Sequence, residues 1–156
     1  MIAIDIPGLR LFELNHLVLD YNGTLALDGV LLPGVADALS SLATQLQIHV
    51  ITADTFGHAK AQLAGVPVEL SIAPLQAQTD WKRQFVSDLG ADGVVAIGNG
   101  RNDSKMLAAA ALGIALIQRE GAAAVTVASA DVVCTRVFDA LALLQNPKRL
   151  MATLRS

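Results

Sequence analysis

The chain has 156 residues, 53% of them hydrophobic, 16% charged and 4% aromatic, with a formal net charge of -3 and a single cysteine. A mildly acidic chain with no basic run argues against nucleic acid as a partner, and one cysteine excludes both a disulfide framework and a cysteine-rich metal site. Asp5, Arg10, Glu13 and Asp20 interrupt the amino-terminal segment, and the most apolar stretch (106–117) is too short to span a bilayer, so neither leader nor membrane anchor is expected.

In chain order, "MIAIDIPGLRLFELN" (1–15) alternates in places and reads as a hairpin or an edge strand. "HLVLD" (16–20) is the first continuous apolar run. "LALDGVLL" (25–32) has the length and the Asp28-Gly29 turn of a short β-hairpin flap. Pro33 and Gly34 then open a helix over 34–46. Strand "IHVIT" (48–52) precedes a helix over 55–64, which Asp54 and Thr55 are placed to cap. "VELSI" (68–72), a helix over 76–90, "VVAIG" (94–98) and a helix over 102–112 follow. Gly113 reads as a stop before the buried run "IALIQ" (114–118). A helix over 121–129, strand "DVVCT" (131–135) and a helix over 136–145 complete the alternation, and Pro147 separates the last helix from the basic tail "KRLMATLRS". Strands that are apolar throughout and alternate with helices imply one α/β domain over 1–156, a doubly wound, mostly parallel sheet. Cys134 is expected in its core, and His16, His49 and His58 have no ligand-like spacing.

In such sheets ligands gather at the carboxyl ends of the strands. The polar residues expected there are Asp20, Asn22 and Thr24 after the first run, Thr52 and Asp54 after the second, and "GNGRND" (98–103) after the fourth. Lys82 lies in the helix before that fourth run, with Lys60 as the weaker candidate for the same charge. Carboxylate, hydroxyl, ammonium and a second carboxylate can together hold a phosphoryl group and a hard cation.

"LDYNGT", "VITAD", "DWKRQFV" and "AIGNGRND", in that order, resemble the four motifs of the haloacid dehalogenase (HAD) superfamily, and more narrowly its small relatives of the P-type ATPase phosphorylation domain. The resemblance covers about residues 15–146. It implies a Rossmann-like fold, here with only a flap and no cap domain. It also implies a Mg²⁺-dependent phosphohydrolase acting through an aspartyl-phosphate. Asp20 would be the nucleophile, with Gly23 permitting a sharp turn that brings amides towards the anion. Thr52 would donate to a phosphoryl oxygen, and Lys82 would neutralise charge and keep Asp20 ionised. Mg²⁺ would take Asp20, the carbonyl of Asn22, and the loop residues Asn99 and Asp103.

Two positions depart from the family pattern. Phosphatases of the superfamily usually carry a second Asp where this chain has Asn22, and an amide cannot shuttle a proton. Slow dephosphorylation is the expected consequence. Asn99 replaces a carboxylate of the P-type pattern, so metal affinity should be weaker. The resemblance implies a phosphorylated substrate, small-molecule or protein. A site without a cap is expected to be open, which capless relatives often offset by forming a homo-oligomer or by acting on large substrates. The single cysteine fits a reducing cytoplasm. The alternatives are a catalytically degenerate regulatory or binding module, and a receiver-like phosphoacceptor. Receivers carry their extra acids ahead of the acceptor strand, whereas Asp103 lies far downstream.

Overall fold

The computed structural model describes residues 1–54 and 57–156. Strands β1 (Ile2–Ile6) and β2 (Arg10–Leu14) pair antiparallel, with Ile2 opposite Leu14 and Ile6 opposite Arg10. Ile2, Ile4, Ile6, Phe12 and Leu14 are buried, so the hairpin turns its apolar side to the core. The chain then enters β3 (His16–Asp20), the two-residue strands β4 (Ala26–Leu27) and β5 (Val30–Leu31), and helix α1 (Val35–Leu42). Next come β6 (Gln47–Thr52), α2 (His58–Gln62), β7 (Glu69–Ile72), α3 (Gln78–Asp88) and β8 (Val94–Gly98). A 3-10 turn (Arg101–Asp103) leads into α4 (Ser104–Ala109), followed by β9 (Leu112–Leu116), α5 (Ala124–Ser129), β10 (Val132–Cys134), α6 (Val137–Gln145) and α7 (Pro147–Leu154).

Six strands form one sheet in the order β10-β9-β8-β3-β6-β7, all paired parallel. The expected doubly wound α/β architecture is therefore present. Because side chains alternate along a strand, Leu17 and Leu19 of β3 join one apolar layer and Val18 joins the other. The first layer packs the sheet against the β1–β2 hairpin, α1, α6 and α7, and the second against α3, α4 and α5. The winding runs from β3 outwards to β6 and β7, then returns across β3 to β8, β9 and β10. The carboxyl end of β3 is thus the topological switch point.

The expected flap is present as β4–β5, with Ala26 opposite Leu31. Its turn residues Asp28 and Gly29 have φ of 52° and 82°, the left-handed pair that a two-residue hairpin of this twist requires. The basic tail beyond Pro147 forms α7: Pro147 starts the helix, where a missing N–H costs nothing, and Leu150 buries against the core. Two readings shift. Gly113 lies inside β9 rather than before it, opposite Ala96 of β8, and it is a glycine there because an added Cβ would stand 2.5 Å from the Leu107 carbonyl oxygen. Cys134 is only half-buried, on an edge strand. Asp54 does accept from the amide of Ala59 in α2 at 2.6 Å, while Thr55 lies outside the described residues. Among the described residues no helix is long and apolar enough to cross a membrane.

Candidate active site

β3 ends on Asp20 between two parallel neighbours, so its carboxylate projects where the sheet's two halves diverge. Asp20 has the parity of Val18 and faces the α3–α4 layer. On α3, Lys82 and Val86 are buried one turn apart, facing the sheet. Lys82 is 1% exposed. Its ammonium donates to Asp20 Oδ1 at 2.9 Å, Asp103 Oδ1 at 2.7 Å and Asn102 Oδ1 at 3.1 Å, which uses all three of its protons. Lys60, by contrast, is exposed on α2. The lysine that the motif order singles out is the buried one.

Asp103 is fully buried in the 3-10 turn after β8. Its Oδ2 accepts from the backbone amides of Asn99 at 3.0 Å and Gly100 at 2.9 Å, so the carboxylate shapes the very loop that carries it. Gly98 leaves room for this: a Cβ there would come within 2.6 Å of the Asp103 carboxylate. Asn102 in turn donates to Gln78 Oε1 at 2.7 Å, and Gln78 lies one helical turn before Lys82.

The electrostatics follow from one buried cation shared by two buried carboxylates. Burial raises the Asp20 carboxyl, and the Asp103 charge raises it further, against the opposing pull of Lys82; the result is about 7. Burial works against the Lys82 ammonium, but Asp20 and Asp103 outweigh it and hold its pKa above the usual lysine value. The two shifts agree physically: the cluster carries one negative charge more than its ammonium neutralises.

Asp20, Asn22, Thr52, Lys82 and Asn99 line a cavity of about 540 Å³, together with Asp54, Gln78, Asn102 and Glu120. Asp103 lies behind its wall. Gly23 turns the chain with φ 77°, and a Cβ there would run into the Asn99 amide. That amide is engaged on both sides. Asn99 Nδ2 donates to the Gly121 carbonyl at 3.0 Å, and Oδ1 accepts from the buried Thr24 hydroxyl at 3.5 Å. A carboxylate could not donate to Gly121, so the amide at this position has a structural use. Asp20, Thr52, Lys82 and Asp103, separated by up to 83 positions in the chain, thus meet in one place.

Sequence reasoning passed over Gln78, Asn102, Gln118 and Glu120. The i, i+4 spacing of Gln78 to Lys82 is a legible signal for the first. Gln118 has none: it donates to the carbonyls of Gly23 at 3.1 Å and Thr24 at 3.0 Å and accepts from the amide of Val137 at 2.8 Å. It clamps the turn after Asp20 to the start of α6. His16 and His49 share a hydrogen bond at 3.2 Å towards the amino ends of β3 and β6, and neither lines the polar cavity.

No family model matches the chain. An uncharacterized protein of Methanocaldococcus jannaschii is 50% identical over 62 residues, which cover 40% of this chain and 67% of that protein. Among solved structures, the 3-deoxy-D-manno-octulosonate 8-phosphate phosphatase of Moraxella catarrhalis, in complex with magnesium and phosphate ions, superposes with TM-score 0.70 at 15% identity, covering 92% of this chain and 94% of that one. A Legionella pneumophila protein assigned to the HAD superfamily, subfamily III A, gives 0.68 at 16% identity, covering 91% and 87%. A zinc-transporting PIB-type ATPase gives 0.63 at 25% identity over 79% of this chain, which spans only 20% of the transporter. With its six parallel strands, its switch-point aspartate and a two-strand flap, the chain has the fold of the haloacid dehalogenase hydrolases, with no cap domain among the described residues.

Proposed function

We propose that the protein is a phosphohydrolase that transfers a phosphoryl group from a monoester to Asp20 and then to water. The observation that carries the reading is the Lys82 ammonium, buried and shared between Asp20 and Asp103 at the end of the central strand. A lysine is rarely so buried without a charge to serve, and here the charge sits at the mouth of a polar cavity.

Asp20 supplies the attacking oxygen. Its new O–P bond forms as the bond from phosphorus to the leaving oxygen breaks. Lys82 holds that carboxylate in place, and the Thr52 hydroxyl stands on the cavity wall to donate to a phosphoryl oxygen. The turn through Gly23 keeps the backbone close to the anion. Asn22 can donate or accept a hydrogen bond but cannot deliver a proton, so the leaving oxygen takes its proton from water. The second half-reaction, attack of water on phosphorus with return of the Asp20 carboxylate, lacks the same help and is slow.

The donor set fits a hard divalent cation. Its excess negative charge is of the kind that Mg²⁺ neutralises. Asp20 and the Asn22 carbonyl offer oxygen donors at the cavity wall, and Asn99 Oδ1, which already accepts from Thr24, has one lone pair left to add. Asp103, already committed to two amides and Lys82, would support the site from behind. When bound, the cation supplies charge neutralisation for the transferring phosphoryl group. A regulatory module that binds phosphate without turnover is the second reading, favoured by the proton-inert Asn22 and the structurally committed Asn99.

Incubation with radiolabelled acetyl phosphate and Mg²⁺ is expected to give an acid-stable label that decays slowly. The label should be absent from Asp20→Asn. A wild-type protein that binds inorganic phosphate but forms no label would establish the module instead, and one that neither labels nor binds beryllofluoride with Mg²⁺ would overturn the phosphohydrolase.

A further inference from the structure

A second cavity, of about 390 Å³, opens beside the first, and its wall differs in kind. Glu120 borders both, and Gly23 in its wall is the chain neighbour of Asn22 in the other. The flap and Ile117 give it an aliphatic side, with Ile117 left 44% exposed. Phe138 supplies an aromatic face, over which the Arg136 guanidinium stands 5.5 Å from the ring centroid. Arg119 also lines it, and among the described residues neither arginine is paired with a carboxylate. The remaining polar wall residue of consequence, Gln118, has its amide hydrogens and oxygen committed to Gly23, Thr24 and Val137. What this cavity offers a ligand is therefore hydrocarbon, Thr135, and two guanidinium groups without a carboxylate partner among the described residues, with the Glu120 carboxylate at its junction with the first cavity.

We propose that this cavity is the leaving-group subsite, and that the substrate is a phosphomonoester whose leaving group has an apolar body ending in an anion. The assignment rests on the phosphohydrolase reading. The phosphoryl group would occupy the polar cavity at Asp20, and the body of the leaving group would cross beside Gly23 onto Ile117 and Phe138. Its far end would meet Arg119 and Arg136. Glu120, at the junction of the two cavities, repels an anion from the near part and leaves the arginines as its favourable partners, while Asp139, in the first turn of α6, is not among the residues that line the cavity. A carboxylate and a second phosphate satisfy the same two guanidinium groups, which bind either as planar forks.

Three esters with identical reacting ends separate these possibilities: the phosphate ester of ω-hydroxyhexanoate, that of ω-hydroxyhexanamide, and the bisphosphate of hexanediol. The acid ester is expected to exceed the amide ester in kcat/KM by about tenfold or more, the scale of a charge-assisted hydrogen bond. Arg119→Gln and Arg136→Gln should each erode that ratio, and together bring it near one, with acetyl phosphate turnover unchanged. Whether the bisphosphate or the acid ester is better identifies the terminal anion. Equal rates for acid and amide esters, or a preference that survives both substitutions, would overturn the subsite. Acetyl phosphate reports on the catalytic reading separately. If it too is inert, hexanoate titrated into the metal-free protein should still shift the amide resonances of Ile117 and Phe138 in wild type and not in the double variant; no shift ends the proposal.

Discussion

Asn22 and Lys82 are the residues on which the proposed chemistry turns. An amide at position 22 removes the proton relay, and a general acid–base contributes about 10²–10⁴-fold. Asn22→Asp is therefore expected to raise steady-state turnover by up to that range and to lower the steady-state level of labelled enzyme, measured by quenched-flow with radiolabelled substrate. Lys82 has a structural role as well. Lys82→Met removes the one cation from a cluster of two buried carboxylates, and breaking a buried pair in this way costs about 3–5 kcal/mol. The variant should unfold at distinctly lower urea and lose labelling entirely. Asp20→Asn, which removes one excess charge and keeps the shape, should lose labelling while holding or gaining stability in metal-free buffer, since the fold already strains against that ionised carboxyl.

At the scale of elements, the site is held by places where one segment's backbone comes unusually near another. β9 crosses α4 so closely that Gly113 has no space for a side chain above the Leu107 carbonyl. Gly113→Ala forces the helix and strand apart and is expected to cost about 1–3 kcal/mol, the usual range for overpacking, seen as a lower urea midpoint with an unchanged m-value. The adjoining 3-10 turn over Arg101–Asp103 would feel that shift, since it leads directly into α4. The flap is the opposite kind of element, two residues per strand, with Val30 60% exposed. It borders the second cavity rather than covering the first, which leaves the polar site open.

Across the whole molecule the parallel sheet separates duties by strand end. The carboxyl ends carry Asp20, Thr52 and the 98–103 loop, where charge is crowded. The amino ends carry His16, His49 and Glu69, a chain of polar contacts across β3, β6 and β7, with His49 Nδ1 3.4 Å from Glu69 Oε2. Burial lowers the His49 pKa from its usual 6.5, and His16 lowers it further, with Glu69 opposing. The folded protein thus resists a proton that the unfolded chain accepts. Stability should be full above about pH 6.5 and fall as the pH drops through the lower folded value. Asp20, whose folded carboxyl titrates at about 7, works in the opposite direction over the same range, so the slope is read in Asp20→Asn. Its thermal midpoints from pH 7.5 down to about 5 should show the slope, and adding His49→Gln should flatten it.

Much of this was already legible in the residues themselves. Apolar runs of strand length alternating with helical patterns determined the layered α/β fold, because backbone groups in a buried strand can be satisfied only by neighbouring strands and period-two or unbroken apolarity says which faces are covered. Motif order likewise singled out Asp20, Thr52, Lys82 and Asp103, since a wound parallel sheet delivers every strand's carboxyl end to one edge. Tertiary structure alone decided the rest. Lys82 rather than Lys60 turns inward because Val86 shares its helical face and takes that face to the sheet. Gly113 belongs to a strand because it pairs opposite Ala96, with α4 passing too close above it for any side chain, and Asn99 is an amide that ties Thr24 to Gly121. Gln118 clamps a turn 94 positions away. Such contacts join residues remote in the chain, and their partners exist only once the sheet has brought those segments within a hydrogen bond of each other.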